Sequence, residues 1–159
     1  RPLDVQLVAS DRSGPRPLSQ LRVGGPANLG RPGSDRGRER VAELRDNTGV
    51  LPLRDNRLLE EVALEHATYL CAGEALAHTR SGENPEDRLR GAGVRARVVG
   101  EVVARATSEG AAFDALEESP SHRAALVDRR LTDVGIGLAR ADDGELCAVV
   151  LLAAWPRRF

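Results

Sequence analysis

The sequence predicts an α+β fold in which helices are layered against a sheet, and three observations predict it. Apolar residues recur at helical spacing in segments between residues 38 and 126. Two strongly apolar runs of strand character then close the chain, joined by a turn, which makes them an antiparallel hairpin. Strands and helices do not alternate, so a doubly wound parallel sheet is set aside.

The elements follow in order. Asp4 to Ala9 and Pro17 to Val23 alternate in polarity around S-D-R-S-G-P, a β-hairpin pattern. Gly24 to Gly37 is Gly/Pro-rich and has no periodicity to bury, so it reads as a linker. Residues 1–37 are compatible with the remnant of an upstream domain, and the main domain is expected over residues 38–159. There, Arg38 to Asn47 carries Val41 and Leu44 on one side and stops at Thr48-Gly49, a normal C-terminal signal. The strongest helix runs from about Asn56 to Gly73, with Leu59, Val62, Ala63, His66 and Leu70 in one stripe, so His66 faces inward. A polar loop leads to a short helix over Pro85 to Gly91. Val98-Val99 and Glu101-Val102-Val103 are compatible with strand or irregular chain. Ser108 caps a helix over Glu109 to Glu118. Pro120 pushes Ser119 out of the α region and fits the first turn of a new helix, which puts His122 in that first turn. Asp133 to Ala139, the turn A-D-D-G and Leu146 to Ala154 form the closing hairpin, whose last strand is apolar enough to be central and buried on both faces.

Composition narrows the function classes. The 159 residues and 41% hydrophobic content suffice for one domain with a genuine core. All 23 basic residues are arginine, interspersed with 24 acids, so no basic stripe for nucleic acid forms. The absence of lysine reads as the coding bias of a GC-rich bacterial genome. No apolar run reaches the roughly 20 residues of a membrane-spanning helix. A chain that opens on Arg1 and lacks methionine reads as a mature chain or a fragment, with a signal or upstream region removed. Cys71 and Cys147 are compatible with one disulfide, given an oxidising export route, and equally with two buried thiols.

The candidate chemistry rests on three histidines, His66, His78 and His122. At the start of a helix the dipole disfavours protonation of His122 and keeps its imidazole available as a base or ligand. No H-E-x-x-H or cysteine-pair metal signature occurs, so any metal site must be assembled from distant segments. No G-x-S-x-G elbow occurs, and Ser121 beside His122 is no dyad, because neighbours on a helix point in different directions.

In their order and spacing, several segments together resemble the CAP superfamily, or SCP domain, in its small bacterial secreted branch. They are L-R-D-N-T-G-V-L-P-L (44–53), L-L-E-E-V-A-L-E-H-A (58–67), L-A-H-T-R-S-G (76–82), P-E-D-R-L-R-G-A-G (85–93), G-E (100–101), S-P-S-H-R-A-A-L (119–126) and V-G-I-G (134–137). The resemblance implies an α-β-α sandwich with a His/Glu cleft. By position, His78 and His122 match the cleft histidines, which bind a divalent metal such as zinc in some relatives. Glu101 matches the glutamate of the family's G-E-N, in an orienting or catalytic general-base role, and His66 matches a frequent helix histidine. Ser119 and Arg123 would complete the binding cleft.

The chain also departs from the family pattern. Gly82-Glu83-Asn84 is a decoy G-E-N, Val102 replaces the asparagine after Glu101, Leu116 stands where a tryptophan is common, and Glu117 and Glu118 are shifted from the second cleft glutamate. The implied function is a secreted or envelope-associated module that binds an unidentified extracellular ligand or protein. The alternative is a metal-assisted or cleft-based hydrolase of peptide or cell-wall material.

Overall fold

The computed structural model describes residues 3–11, 14–23, 30–33, 35–73 and 75–156, with side chains from residue 30 onward. Strands β1 (Leu3–Asp11) and β2 (Gly14–Val23) pair antiparallel as their own two-stranded sheet. The expected turn residues Arg12 and Ser13, and residues 24–29 of the expected linker, lie outside the described residues.

The rest of that stretch does more than connect. Arg31–Pro32 forms a short strand, β3, opposite Leu138 and Gly137 of a later strand, and helix α1 begins at Asp35 rather than Arg38, running to Asn47. The physical reason is packing that composition hides. A Cβ on Gly37 would stand 2.9 Å from the ring of Phe113, so the glycine lets the first turn of α1 lie on an aromatic side chain. At the other end, Gly49 takes φ +66° and the Val50 N–H donates to Arg45 O at 2.8 Å, closing the helix.

Next come β4 (Arg54–Asp55), α2 (Arg57–Ala72), α3 (Pro85–Gly91), β5 (Val98–Ala106), α4 (Glu109–Glu118), α5 (Pro120–Leu126), β6 (Asp133–Arg140) and β7 (Leu146–Ala154). Local chemistry explains the helix starts. Asn56 accepts from the Leu58 and Leu59 N–H groups, and Ser108 accepts from Ala111 N–H. Asn84, the last residue of the decoy tripeptide, closes a reciprocal capping box with Asp87 ahead of Pro85. The segment left open between strand and irregular chain is a strand throughout, because all nine residues of β5 find partners on β7.

The main sheet has the order β3-β6-β7-β5, antiparallel except for the two-residue β4, which joins β6 in parallel. β7 is central, and all nine of its residues are buried. Its even-numbered residues, Leu146 to Leu152, face α1, α4 and α5 together with Val41, Leu44, Phe113, Leu116 and Leu126. Its odd-numbered residues, Cys147 to Ala153, face α2 and α3 with Leu59, Ala63, Leu70 and Leu89. This is an α-β-α sandwich.

The V-G-I-G segment shows how tightly the second layer sits. Val134 and Ile136 enter the first core, whereas a Cβ on Gly135 or Gly137 would stand 2.1 Å from Glu60 N or 2.3 Å from Leu64 N. Glycine lets the α2 backbone lie directly on β6. Arg45 is 1% exposed and holds the opposite layer together: Nε donates to Leu51 O, Nη1 to Leu126 O and Asp128 O, and Nη2 to Leu131 O.

Candidate functional site around Glu101

β5 is an edge strand, and its polar interruption, Gly100-Glu101, is where the site forms. Strand alternation puts Glu101 on the same face as Val103, toward α2 and α3. Its side chain is 1% exposed. A buried carboxylate must be matched by donors, and α3 and the loop before it supply two, with α2 alongside. The Arg88 guanidinium of α3 donates from Nη2 to Oε2, His78 of the preceding loop donates from Nδ1 to Oε1 at 3.1 Å, and His66 of α2 places Nε2 3.7 Å from Oε1.

His66 and Arg88 also hold the loop that carries His78. His66 Nε2 donates to Ala77 O at 2.9 Å, and Arg88 Nη1 donates to His78 O at 2.8 Å and to Glu83 O at 3.4 Å. Arg80 extends the anchor with an ion pair to Glu65 at 2.6 Å, its guanidinium lying over the Tyr69 ring.

Acceptor chemistry assigns the tautomers. His66 Nε2 faces a carbonyl, so it carries the proton and Nδ1 is bare; that nitrogen is buried with no partner. Burial pushes the His66 pKa below its ordinary value, Arg88 and Arg80 push the same way, and Glu101 only partly opposes them. In His78 the carboxylate takes the Nδ1 proton, which leaves Nε2 as the unprotonated nitrogen of a side chain 49% exposed.

His122 is carried by the other layer. α5 packs beside β5 on the opposite face and presents His122 in its first turn, half-buried and with no protein hydrogen bond among the described residues. Its pKa is lowered, first by burial and then by the nearby His78 imidazole. The two imidazoles are thus within electrostatic reach of each other.

Of the expected site residues, His66, His78 and Glu101 come together, and His122 feels the His78 imidazole electrostatically. Ser119 and Arg123 flank His122 without touching Glu101. Ser119 Oγ lies 3.2 Å from Ser121 Oγ, and Arg123 is exposed. Glu117 is turned away to an ion pair with Arg40. Cys71 and Cys147 form a disulfide, Cα atoms 5.7 Å apart, tying the end of α2 to β7.

Arg88 is the residue that sequence reasoning overlooked. An arginine in a seven-residue helix reads as a surface group, yet it is 8% exposed. The signal that could have found it was its place beside the buried Leu89 within P-E-D-R-L-R-G.

The donor set decides what a cation would meet here. Glu101 is already spent on Arg88 and His78, and among the described residues no group of three or more His, Cys, Asp or Glu side chains is arranged to hold a metal. What fits is weaker. A carboxylate orients the Nδ1–H of His78 and leaves its Nε2 free, the outer support typical of a metal-bound histidine.

Comparison with known proteins agrees with the α-β-α fold. The cysteine-rich secretory protein family, CAP, matches residues 38–152. An outer surface protein from Borrelia burgdorferi superposes with a TM-score of 0.71 at 24% identity, over 80% of this chain and 100% of that one. An extracellular protein containing an SCP domain from Bacillus anthracis str. Ames gives 0.66 at 18% identity, over 86% of this chain and 46% of its own. A cysteine-rich secretory protein from Staphylococcus aureus gives 0.57 at 19% identity, over 87% of this chain and 42% of its own. No curated protein sequence matches the chain. At these identities the structural likenesses establish the fold.

Proposed function

The chain belongs to the CAP family of cysteine-rich secretory proteins, and we propose that it acts outside the cytoplasm as a binding module. Its contact surface is the His78/His122 side of the Glu101 cluster, with Ser119 and Arg123 at the rim. The observation that carries the reading is the state of Glu101: a carboxylate 1% exposed, its oxygens engaged by Arg88 and His78, is a fixed support for an exposed imidazole. Such a site is organised before any ligand arrives, which lowers the entropic cost of binding. Among the described residues no nucleophile is aligned with it, since Ser119 and Ser121 bond to each other and both cysteines are in the disulfide. The disulfide supports an oxidising, extracytoplasmic setting, as do the outer-surface and extracellular descriptions of two structural neighbours.

His78 Nε2 and His122 would hold a divalent cation such as zinc, Glu101 fixing the orientation of His78. A bound divalent cation supplies Lewis acidity. Calorimetric titration with zinc tests this. We expect one weak site, lost in His78→Ala and in His122→Ala and weakened about 10-fold or more in Glu101→Gln, the usual effect of removing an orienting partner. No binding, or binding unchanged in both histidine variants, overturns the cation reading.

One observation favours a second reading. The Glu101–His78 couple, 3.1 Å between Oε1 and Nδ1, is also the arrangement that readies an imidazole to take a proton from water. In that reading the protein is a hydrolase of peptide or cell-wall material. Peptide or cell-wall hydrolysis lost in His78→Ala would favour it over the binding module.

A further inference from the structure

β5 ends the main sheet, and the direction of its free backbone groups follows from the bonds of the strands beside it. Gly33 N–H donates to Ile136 O at 2.8 Å and Asn56 N–H to Val134 O at 2.9 Å, so the even-numbered residues of β6 bond away from β7. In an antiparallel ladder the bonding residues alternate. The odd-numbered residues of β6 and β7 therefore bond each other, and the even-numbered residues of β7 bond β5 through pairs such as Leu152 with Gly100. That leaves the N–H and C=O groups of Val99 and Glu101 pointing off the sheet, where no hydrogen bond among the described residues reaches them. The exposure of Glu101 places this edge in solvent. Its side chain is 1% exposed, yet the residue as a whole is partly exposed, so what solvent touches is its backbone. From Val102 to Ala104 the strand is buried, which limits the open stretch to Val98 through Glu101.

Beside the open stretch lies a depression of about 320 Å³ whose apolar floor is Leu89, Val94, Ala96 and Val99. Val99 packs toward α2 and α3, on the same face as Glu101. Residues directly opposite in an antiparallel pair share a face, so a strand added to this edge would hold one side chain next to Val99, over that floor. The chain leading into β5 supplies a charge preference. Arg95 and Arg97 are exposed and make no ion pair among the described residues, whereas Arg90, at the rim, is already paired with Asp87. Hydrated charges of this kind select partners more than they add affinity.

We propose that the open edge of β5 docks an extended peptide strand. The peptide pairs antiparallel with Val98 to Glu101, lays an apolar side chain opposite Val99, and carries an acidic residue two positions later beside Arg95 and Arg97. In the free protein water serves the edge groups, and the peptide replaces it with a matched ladder. Main-chain bonds give such strand addition its affinity, and the side-chain depression gives it selectivity. The inference rests on the binding-module reading and gives that module a class of partner; it asks for no cation at His78 and His122.

The test is amide hydrogen exchange and NMR titration of the intact chain, with a chelator present and the capped peptide Thr-Val-Ser-Val-Leu-Thr-Glu as probe. In the free protein the Val99 and Glu101 amides should exchange faster than those of Gly100 and Val102. The peptide should bind saturably and slow them. N-methylation of its leucine and serine amides should abolish binding, whereas N-methylation of the two valine amides, which point away from β5, should not. Val99→Pro removes an edge N–H without removing a bond to β7 and should weaken binding about 5-fold or more. The parent should prefer the peptide ending in glutamate to one ending in lysine, and the double variant Arg95→Glu with Arg97→Glu should reverse that order. The proposal is overturned if Val99 and Glu101 exchange as slowly as their neighbours, if the peptide does not saturate, if both methylated peptides bind alike, or if the double variant keeps the parent's preference. A free chain that dimerises and protects these amides itself would make the occupant a second copy and also overturn it. Zinc titration of His78 and His122 is a separate readout, so failure of one reading leaves the other standing.

Discussion

Replacing Arg45 with methionine removes the donor that joins three segments of backbone. Its guanidinium reaches Leu51 O at 2.7 Å, Leu126 O at 2.8 Å, and Asp128 O and Leu131 O at 3.2 Å, so one side chain closes the turn after α1, the end of α5 and the approach to β6. Hydrogen bonds from a charged donor are worth about 1.5–3 kcal/mol each, giving a gross loss of roughly 6–12 kcal/mol for four. Against this, methionine recovers the several kcal/mol needed to bury a guanidinium, a cost visible in the burial that pulls the Arg45 pKa below its ordinary value. The net expectation is a loss of about 3–5 kcal/mol, a large fraction of the roughly 5–15 kcal/mol that holds a domain folded. Urea unfolding reads it directly: with m near 1.5 kcal/mol/M, the midpoint falls by about 2–3 M. Arg45→Lys should fall nearly as far, because a compact ammonium cannot span four carbonyls held for a planar fork. Full rescue by lysine, or a methionine variant within about 0.5 kcal/mol of the parent, would sink the reasoning, the first by making charge sufficient and the second by making the bonds worthless. Because the clamp grips the end of α5, the variants should also weaken whatever His122 binds.

Other outcomes follow from the same geometry. Gly135→Ala, whose Cβ would stand 2.1 Å from the Glu60 backbone nitrogen, should cost more than the usual 1–3 kcal/mol of overpacking, whereas Gly144→Ala, with open space and φ +88°, should cost only about 1–2 kcal/mol of strain; thermal melts distinguish them. Removing the disulfide as a double alanine variant frees a loop with a sequence separation of 76 residues. The chain-entropy relation puts that loss at about 4.5 kcal/mol, and equal urea midpoints with and without the bond would refute it. Acid should destabilise the protein through His66. Burial lowers its folded pKa, so the unfolded chain binds more protons once pH drops below about 6.5. Its contribution is therefore complete above that pH and is lost as pH falls through the folded value, with a limiting slope of about 1.4 kcal/mol per unit. Unfolding midpoints across this range should flatten in His66→Gln.

Local chemistry was legible in the sequence wherever a residue acts on its neighbours. Asn56, Ser108 and Pro120 mark helix starts because a cap or a locked φ works within a few residues. The unbroken apolar run of β7 announced a strand buried on both faces. What stayed hidden depends on distant partners. Arg31–Pro32 is a strand only because β6 lies opposite, and Val98 to Val103 stayed open between strand and irregular chain because its register is set by β7. Arg45 and Arg88 were hidden because residue type argues for the surface, while the structure surrounds each with acceptors. The histidines were visible as candidates, but the meeting of His66 and His78 on one carboxylate is a product of the fold.

β7 has a further consequence, for the chain before it folds. Leu146 to Ala154 is nine residues without charge, proline or glycine, the composition that stacks readily into cross-β assemblies when exposed. In the native sheet β6 and β5 occupy both of its edges, and the two helical layers cover its faces. Until those neighbours arrive, the strand can pair with its counterpart on another molecule. Recovery from denaturant should therefore fall steeply with protein concentration, as precipitation competes with refolding.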